Sequence, residues 1–306
     1  MAPSLTIIIP THHRPAILKQ TLEHLSKQTI AEQLEVIVVH DGEDDEETKK
    51  VFQEAGGWRL AASSYFAIAK SHQGTARNRG AEKASAPIIL FIGDDAFLET
   101  DACERHLRGH SLTPNPSPSP RTLTGRGETF AVLGFTTWDP TLEINPTMRW
   151  LEKSGWQFGY PMIEKYAHGF IPKEIQERFT YTIHISVPTA VAKKFPFRED
   201  VSLYGWEDIV WGTELKNASI PLYYEPDAKA FHHHHITLEQ SLKRMETLGK
   251  SLKHLEKIDS TFQKSPKGMK LLAYKIISMM PTMRGMHSKA FLRGLKRELI
   301  YSKPNL

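Results

Sequence analysis

An unbroken apolar run ending in two adjacent carboxylates constrains this chain more than any other stretch. The run covers residues 87–92, Pro-Ile-Ile-Leu-Phe-Ile, and is followed by Gly93, Asp94 and Asp95. A segment that is apolar at every position predicts a strand buried on both faces, in the middle of a parallel sheet. Open α/β sheets bind ligands at the carboxyl ends of their strands. The run therefore predicts a ligand-binding crevice beside the two aspartates.

The aspartate pair has two interpretations. If strand geometry continues through Asp94 and Asp95, their side chains point to opposite sides, so that one can hold a metal while the other contacts a neighbouring ligand group. The alternative is a polar turn that simply ends a core strand, because Asp is a common turn residue.

Along the rest of the chain, predicted strands and helices alternate, as in α/β proteins. Further strands are predicted over 4–9, 35–39, 60–69, 130–135, 181–187, 222–225 and 229–231. Helices are predicted over 16–28, from 43, after Gly74, over 207–217 and over 237–256. The prolines spaced by Asn and Ser at 114–120 predict a mobile loop or the join between two halves.

Composition limits the class of protein. With 306 residues, of which 40% are hydrophobic and 24% charged, the chain can form one large or two modest globular domains. The single cysteine, Cys103, excludes an intrachain disulfide and a cysteine-rich metal site, which favours a reducing compartment. The first apolar run, residues 7–9, is too short for a signal or spanning segment. We therefore expect a cytoplasmic protein.

Charge is distributed unevenly. From Lys264 onward there are ten basic residues and one acidic residue, Glu298, so this tail carries +9 and the remainder −5 of the net +4. The tail also contains regularly spaced apolar residues. It is either a helical cap packed on the main domain or an amphipathic segment that contacts anionic lipid at the inner face of the cell membrane. Nucleic-acid binding would also use basic charge, but no recognition motif accompanies it.

Several polar residues stand at the predicted ends of strands and helices. Asp41 follows a strand, and Arg77 lies in a helix opened by Gly74, where backbone N–H groups and a guanidinium favour an anion. Glu207 and Asp208 fall in a first helical turn, where they either stabilise the helix dipole or supply a general base. Four consecutive histidines, residues 232–235, follow the last strand and make metal binding plausible. The aromatic section over 138–160, which includes Trp156, is either core or a surface on which sugar or base rings stack.

Taken in order, these motifs resemble those of the family 2 glycosyltransferases over about residues 4–250. The motifs are Pro10-Thr11 with Arg14, Asp41-Gly42, Gly74 to Gly80 with Ala76-Arg77-Asn78, Asp94-Asp95, Gly205-Trp206-Glu207-Asp208, and His232. The resemblance implies a GT-A fold, a Rossmann-like, doubly wound mixed α/β sheet. It places a glycosyltransferase domain at 1–258, with a nucleotide-binding half at about 1–111 and an acceptor half at about 122–258. A basic amphipathic helical tail at 259–306 lies outside it.

The resemblance also implies a role for each matched residue. Nucleotide binding falls to Pro10, Thr11, Arg14, Asp41, Arg77 and Asp94. Asp95 is expected to hold Mn²⁺ or Mg²⁺, with His232 as a second ligand and His234 as its substitute. Asp208 is expected to be the catalytic base, with Glu207 beside it, while Trp206 and Trp156 contact the acceptor. The implied reaction is inverting transfer from a nucleotide sugar, UDP-sugar by family habit, to a hydroxyl of a glycan or a lipid-linked cell-envelope acceptor.

Three positions depart from the family's usual pattern. Gly93 stands where the first Asp of an Asp-x-Asp triplet is frequent, His40 stands before Asp41 in place of another Asp, and His12-His13 replace a common Tyr-Asn. The metal is therefore expected to depend on Asp95. A catalytically inactive domain that senses a nucleotide sugar or acts as a scaffold is the alternative. Phosphoryl transfer on a similar sheet is disfavoured because the chain has no P-loop sequence.

Overall fold

The computed structural model describes residues 2–55, 60–111, 129–201 and 205–296. The proline-rich segment at 114–120 and the end of the tail lie outside these residues. The strands are β1 Leu5–Thr11, β2 Leu34–Asp41, β3 Ala62–Ile68, β4 Ile88–Ile92, β5 Ala96–Leu98, β6 Ala131–Trp138, β7 Gly169–Ile171, β8 His184–Pro188 and β9 Leu222–His232. The helices are α1 Pro15–Ser26, α2 Glu46–Ala55, α3 Gln73–Lys83, α4 Ala102–Ser111, α5 Pro146–Ser154, α6 Tyr160–Ile163, α7 Thr189–Lys194, α8 Glu207–Asn217, α9 Leu238–Ile258, α10 Gly268–Ile277 and α11 Met283–Lys296.

The described strands form one mixed sheet in the order β3-β2-β1-β4-β8-β6-β9-β5, with β7 paired to β9. Strands β1 to β4 are parallel, β8 runs antiparallel between β4 and β6, and β6 is parallel to β9. The carboxyl ends of β1, β2, β3, β4, β6 and β9 therefore meet at one edge of the sheet, where ligands bind in folds of this type. The predicted α/β class is confirmed.

The apolar run forms the central strand β4, as predicted, and its neighbours differ from the prediction. β4 pairs with β1 in parallel and with β8 in antiparallel orientation, so the sheet around it is mixed. Its side chains alternate between two cores. Ile89 and Phe91 pack on one face of the sheet, and Leu90 and Ile92 on the other. Burial of both faces explains the absence of polar residues in the run.

Two predicted strand boundaries were wrong. The segments 222–225 and 229–231 belong to one strand, β9, whose register against β6 shifts between Gly134 and Phe135. β8 begins at His184, three residues later than predicted. The residues before it turn towards α8 instead, where Thr180 Oγ1 donates to the Asp208 carbonyl at 2.7 Å. Hydrogen bonds to α8 thus replace strand pairing in this segment.

The tail packs on the main domain through α11. Its Gly294 lies against Gly249 of α9 so closely that a Cβ on Gly294 would stand 2.0 Å from the Glu246 carbonyl oxygen. His287 Nε2 of α11 makes a buried 2.8 Å hydrogen bond with Ser241 Oγ of α9. These contacts support the interpretation of α11 as a helical cap.

Helix α10 behaves differently from α11. None of its residues is buried, and Met269 is 88% exposed. Other exposed apolar side chains lie on α10 or directly after it: Leu272, Ile276, Met279 and Met280. Across the described part of the chain, every helix is too short or too polar to span a bilayer.

Candidate active site

A cavity of about 590 Å³ opens at the carboxyl edge of the sheet. Twelve of the thirteen sequence-predicted site residues line it, and Trp206 is the exception. The lining comes from the ends of β1, β2 and β9, the turn after β4, and the first turns of α3 and α8. Segments far apart in sequence are thereby brought to one site, which is large enough for a small-molecule ligand.

The aspartate pair does not continue the strand as one interpretation required. β4 ends at Ile92, and Gly93 to Asp95 form a turn that leads into β5. Both carboxylates consequently reach the same guanidinium: Arg14 Nη1 donates to Asp94 Oδ1 at 2.6 Å, and Arg14 Nη2 to Asp95 Oδ2 at 3.0 Å. Thr11 Oγ1 donates to the other oxygen of Asp94 at 2.7 Å. The two aspartates therefore form a turn after the strand and also line the candidate site.

The two buried carboxylates have different pKa values because their neighbours differ. Asp94 and Asp95 are 6% and 7% exposed. Burial and the adjacent charge on Asp95 raise the pKa of Asp94 to about 6. Burial also opposes ionisation of Asp95, but hydrogen bonds from His232 and His234 outweigh it and lower its pKa well below the usual value. Asp95 is thus the more acidic of the two carboxylates, and an ionised carboxylate is the form that binds a metal.

The first three of the four consecutive histidines point to alternate sides of the chain. His232 Nε2 and His234 Nδ1 each lie 3.5 Å from Asp95 Oδ2, whereas His233 Nδ1 lies 2.6 Å from Asp139 Oδ2 on the other side. Ligand atoms from Asp95, His232 and His234 all fall within 4.8 Å of one another. His232 Nδ1 is buried without a hydrogen-bond partner among the described residues. This donor set of one carboxylate and two imidazoles fits a divalent metal.

The candidate base, Asp208, lines the same cavity from the first turn of α8. Thr182 holds its carboxylate, since Thr182 Oγ1 donates to Asp208 Oδ1 at 2.6 Å and the Thr182 N–H to Oδ2 at 3.3 Å. Burial by the surrounding protein, together with the charge on Glu207, raises the pKa of Asp208 to about 6. Glu207 Oε2 itself accepts from the Gly205 N–H at 2.9 Å. A carboxyl with a pKa of about 6 can accept a proton near neutral pH.

Arg77 is buried, whereas the sequence predicted an outward-facing guanidinium. It is 3% exposed, lines the cavity, and has no hydrogen-bond partner on Nε or Nη1 among the described residues. Its Nη2 donates to Gln73 at 3.1 Å. Burial lowers the pKa of Arg77, partly offset by the charges of Asp208 and Glu207. A buried guanidinium that lines the cavity suits an anionic ligand group.

The far end of the cavity is formed by Pro10, Thr11 and Asp41. Asp41 Oδ1 accepts from the Ser71 N–H at 2.7 Å, and its Oδ2 lies 3.2 Å from Lys70 Nζ. Burial acts against ionisation here too, yet these hydrogen bonds lower the pKa of Asp41. The carboxylate is thus a fixed hydrogen-bond acceptor at this end.

The two predicted acceptor tryptophans have different surroundings. Trp156 lines the cavity, and its ring packs against Trp150 and against His287 of the tail helix α11. Trp206 is not among the residues that line the cavity: its Nε1 donates to the Leu248 carbonyl at 2.9 Å and its ring packs on Phe262. These contacts favour a packing role for Trp206, and its contact with an acceptor stays a prediction.

Sequence reasoning missed three kinds of residue. Thr182 lines the cavity and binds Asp208, and no motif marks it. Gln157 lines the cavity from the loop after α5, beside Phe158 of the predicted aromatic section. Arg244 of α9 also lines the cavity and donates to Gln157. A single cationic residue on the inner face of an amphipathic helix was the available signal for Arg244.

Comparison with known proteins agrees with this geometry. The family model "Glycosyl transferase family 2" matches residues 6–115. The validoxylamine A glucosyltransferase of Streptomyces hygroscopicus subsp. jinggangensis is 28% identical over 245 residues, covering 72% of this chain and 53% of that protein. The putative glycosyltransferase EpsH of Bacillus subtilis is 29% identical over 108 residues, covering 35% of this chain and 30% of that protein. The chain thus spans about half the length of the first of these relatives.

Solved structures share the fold. The mannosyltransferase PcManGT of Pyrobaculum calidifontis, in complex with GDP-Man and Mn²⁺, has a TM-score of 0.58 and 15% identity, covering 95% of this chain and 74% of that one. TarS of S. aureus has a TM-score of 0.55 and 13% identity, and the match covers 96% of this chain and 44% of that one. At such identities the likeness concerns the fold, which is the predicted GT-A fold. The match of the family model to residues 6–115 agrees with the resemblance drawn from the motifs in that part of the chain.

Proposed function

We propose that the chain transfers a sugar from a nucleotide-sugar donor to an acceptor hydroxyl, with inversion and with a divalent metal. The observation that carries the proposal is one cavity that is lined both by the Asp95–His232–His234 cluster and by Asp208. Leaving-group stabilisation and proton removal are the two tasks of such a transfer. A donor seated between them would have both groups in reach.

The proposed donor orientation follows from the polar groups. Pro10, Thr11 and Asp41 would line the base pocket, and Asp94 would approach the ribose. The diphosphate would lie beside Arg77, the buried cation that lines the cavity. We favour UDP as the nucleotide because of the family resemblance; the complexes with UDP in TarS and with GDP-Man in PcManGT are properties of those proteins.

The proposed metal ligands are Asp95, His232 and His234. A bound divalent cation would neutralise the charge that develops on the departing phosphate oxygens. We favour Mn²⁺ over Mg²⁺ because the cluster contains two imidazoles, whereas Mg²⁺ prefers oxygen ligands. Arg14, already paired with Asp94 and Asp95, adds positive charge on the same side.

Asp208 would complete the reaction as the general base. Its carboxylate accepts the proton of the acceptor hydroxyl while that oxygen bonds to the anomeric carbon. The bond from this carbon to the phosphate oxygen breaks on the opposite face, and the leaving group departs as the nucleoside diphosphate. One displacement of this kind inverts the anomeric configuration. Glu207 and Trp156 would contact the acceptor, for which we propose a glycan or a lipid-linked cell-envelope sugar.

The rate of transfer is expected to fall as the pH drops through about 6, where Asp208 titrates. The base must be ionised to accept a proton, and with a pKa near 6 about one tenth of the molecules carry the ionised form at pH 5. Initial rates at saturating donor between pH 5 and 8 measure the effect. A rate that stays constant across this range would contradict the assignment.

A Thr182→Val variant provides the matched control for this profile. The threonine hydroxyl donates to the ionised carboxylate and thereby lowers the pKa of Asp208. Without that hydrogen bond the pKa should rise, so the acidic limb of the profile should move to higher pH. A limb that stays in place in this variant would point to another titrating group, such as Asp94.

We further propose that α10 contacts an anionic membrane surface. Its exposed face combines Met269, Leu272 and Ile276 with the basic residues Lys270 and Lys275. Apolar residues that enter the interface and basic residues near it each contribute about 1 kcal/mol to such binding. This contact would bring the cavity near a lipid-linked acceptor.

Replacing Met269 and Leu272 together by Glu should weaken binding to anionic vesicles by about tenfold or more, since each change removes about 1 kcal/mol of apolar burial. Cosedimentation with phosphatidylglycerol vesicles measures it. Met162→Glu is the control, because Met162 is exposed on the main domain. The proposal fails if the wild-type protein does not sediment or if the double variant sediments equally well. Point substitutions are preferable to removing the tail, because α11 is part of the core.

A further inference from the structure

Three histidines beside the base-binding end of the cavity have no part in the proposed transfer. His12 and His13 directly follow β1, and His40 is the next-to-last residue of β2. The two strands are parallel neighbours in which Thr11 pairs with His40, so the turn after β1 crosses the end of β2. The ring centroid of His13 lies 4.4 Å from that of His12 and 4.9 Å from that of His40. One nitrogen from each ring falls within 4.8 Å of the others.

His40 is the most unusual of the three. Its side chain is fully buried, and neither ring nitrogen has a hydrogen-bond partner among the described residues. A buried polar atom without a partner costs about 1–3 kcal/mol. Burial and the adjacent His13 lower the pKa of His40, so the ring is neutral at physiological pH and keeps one nitrogen lone pair. Neutral imidazole is the form that binds metals.

His13 is held in position from outside the cluster. Its φ of 49° lies in the left-handed region, which non-glycine residues seldom adopt and which marks a constrained turn. Its Nδ1 lies 3.4 Å from Asp45 Oδ2, which leaves Nε2 as the nitrogen available to a ligand. A carboxylate behind a histidine is the usual outer-shell arrangement at metal sites, because it orients the ring and raises its basicity.

The donor set differs from that of the proposed catalytic site. Three imidazoles with an open fourth position suit Zn²⁺ and the neighbouring transition metals, and not Mg²⁺. Zn–N bonds of about 2.0–2.1 Å require the rings to approach more closely than they do here. His12 and His13 are exposed and lie on a loop, so small ring rotations can close the distance to the buried His40.

We propose that His12, His13 and His40 form a binding site for a transition-metal ion of the Zn²⁺ class, separate from the site at Asp95. His12 also lines the cavity, so the ion would lie against the base-binding end. The site is independent of the proposed transfer reaction. Within the part of the chain that the structure describes, none of the three histidines contacts Asp95 or Asp208.

Co²⁺ is the probe for this site, because it acquires intense visible absorption in tetrahedral coordination. The titration is done with the full chain carrying His232→Ala and His234→Ala, which removes the other imidazole cluster. In this background we expect Co²⁺ to give the tetrahedral spectrum and Zn²⁺ to displace it. Adding His12→Gln and His13→Gln should abolish the spectrum. These two residues are exposed, so a thermal melt is expected to show an intact fold.

Two further variants sharpen the test. Asp45→Asn removes only the outer-shell carboxylate and should weaken Co²⁺ binding by roughly 10–100-fold. His168→Gln, which disrupts a third cluster formed with Glu225 and Asp227, should leave the spectrum unchanged. The inference is overturned if no tetrahedral spectrum appears in the background, if the spectrum survives the His12 and His13 changes, or if the His168 variant loses it.

Discussion

Replacing Asp208 by Asn is expected to lower kcat by roughly 10²–10⁴-fold, the usual contribution of a general base. The change leaves the shape of the side chain intact, and the amide oxygen still accepts the hydrogen bond from Thr182. It removes the negative charge and the basicity but no group proposed to bind the nucleotide, so affinity for UDP with Mn²⁺ should change by less than about twofold, or about 0.4 kcal/mol. Transfer rates and calorimetric titration of the same preparation measure the two quantities.

The control for this variant addresses the charge of Arg77. Asp208 and Glu207 are the two acidic groups whose charges favour the protonated form of the buried Arg77. Replacing Asp208 therefore also removes a negative charge that stabilises this cation. A thermal melt must therefore accompany the kinetics. Glu207→Gln is the matched neighbour: it keeps Asp208 and should affect KM for the acceptor more than kcat. If Asp208→Asn instead loses nucleotide affinity in proportion to kcat, Asp208 belongs to the donor site and the base must be sought elsewhere.

The sequence was sufficient to predict the sheet because its periodicity reflects burial directly. Ile89 to Ile92 alternate between two cores, and only a strand covered on both faces permits that run. Strand direction was not readable in the same way. β8 pairs antiparallel with β4. The apolar run of β4 suits a parallel and an antiparallel neighbour equally, which made the sheet around β4 appear parallel.

The candidate site was predictable where residues touch the ligand region directly and follow strand ends. Asp41, Asp95 and His232 fall in this class. Contacts made by tertiary packing were not predictable: Thr182 reaches Asp208 from 26 residues away, and Trp206 turns into a core formed with α9. A Gly-Trp-Glu-Asp motif gives no sign of which of its side chains faces the cavity.

The tail illustrates the same limit. Its basic and apolar residues supported either a packed cap or a membrane-binding segment. The structure divides these interpretations between two helices, since α11 packs on α9 through Gly249 and Gly294 while α10 exposes its apolar face. The glycines at 249 and 294 were the available signal for close helix packing. The sequence does not show that these two glycines face one another, and only the placement of α11 on α9 does.

Replacing Asp95 by Ala is expected to remove the dependence of nucleotide binding on metal. Asp95 is the only carboxylate in its cluster, and it stays ionised because His232 and His234 lower its pKa. Without it two imidazoles remain, so metal affinity should fall by more than the roughly 10–100-fold that loss of an outer-shell partner costs. Calorimetric titration with UDP, in Mn²⁺ and again in chelator, measures the difference between the two conditions.

Asp94→Asn separates the role of metal ligand from that of charge. Both aspartates bind Arg14, so either replacement leaves the guanidinium with one carboxylate. Only Asp95 approaches the two histidines, and Asp94 instead accepts from Thr11. The asparagine variant should therefore keep the affinity gain from Mn²⁺ even if its overall UDP affinity falls. If Mn²⁺ still strengthens UDP binding in the Asp95→Ala variant, the ion is held elsewhere in the cavity. Loss of the metal effect in both variants would instead mean that the paired charge on Arg14, and not the cluster with His232 and His234, creates the site.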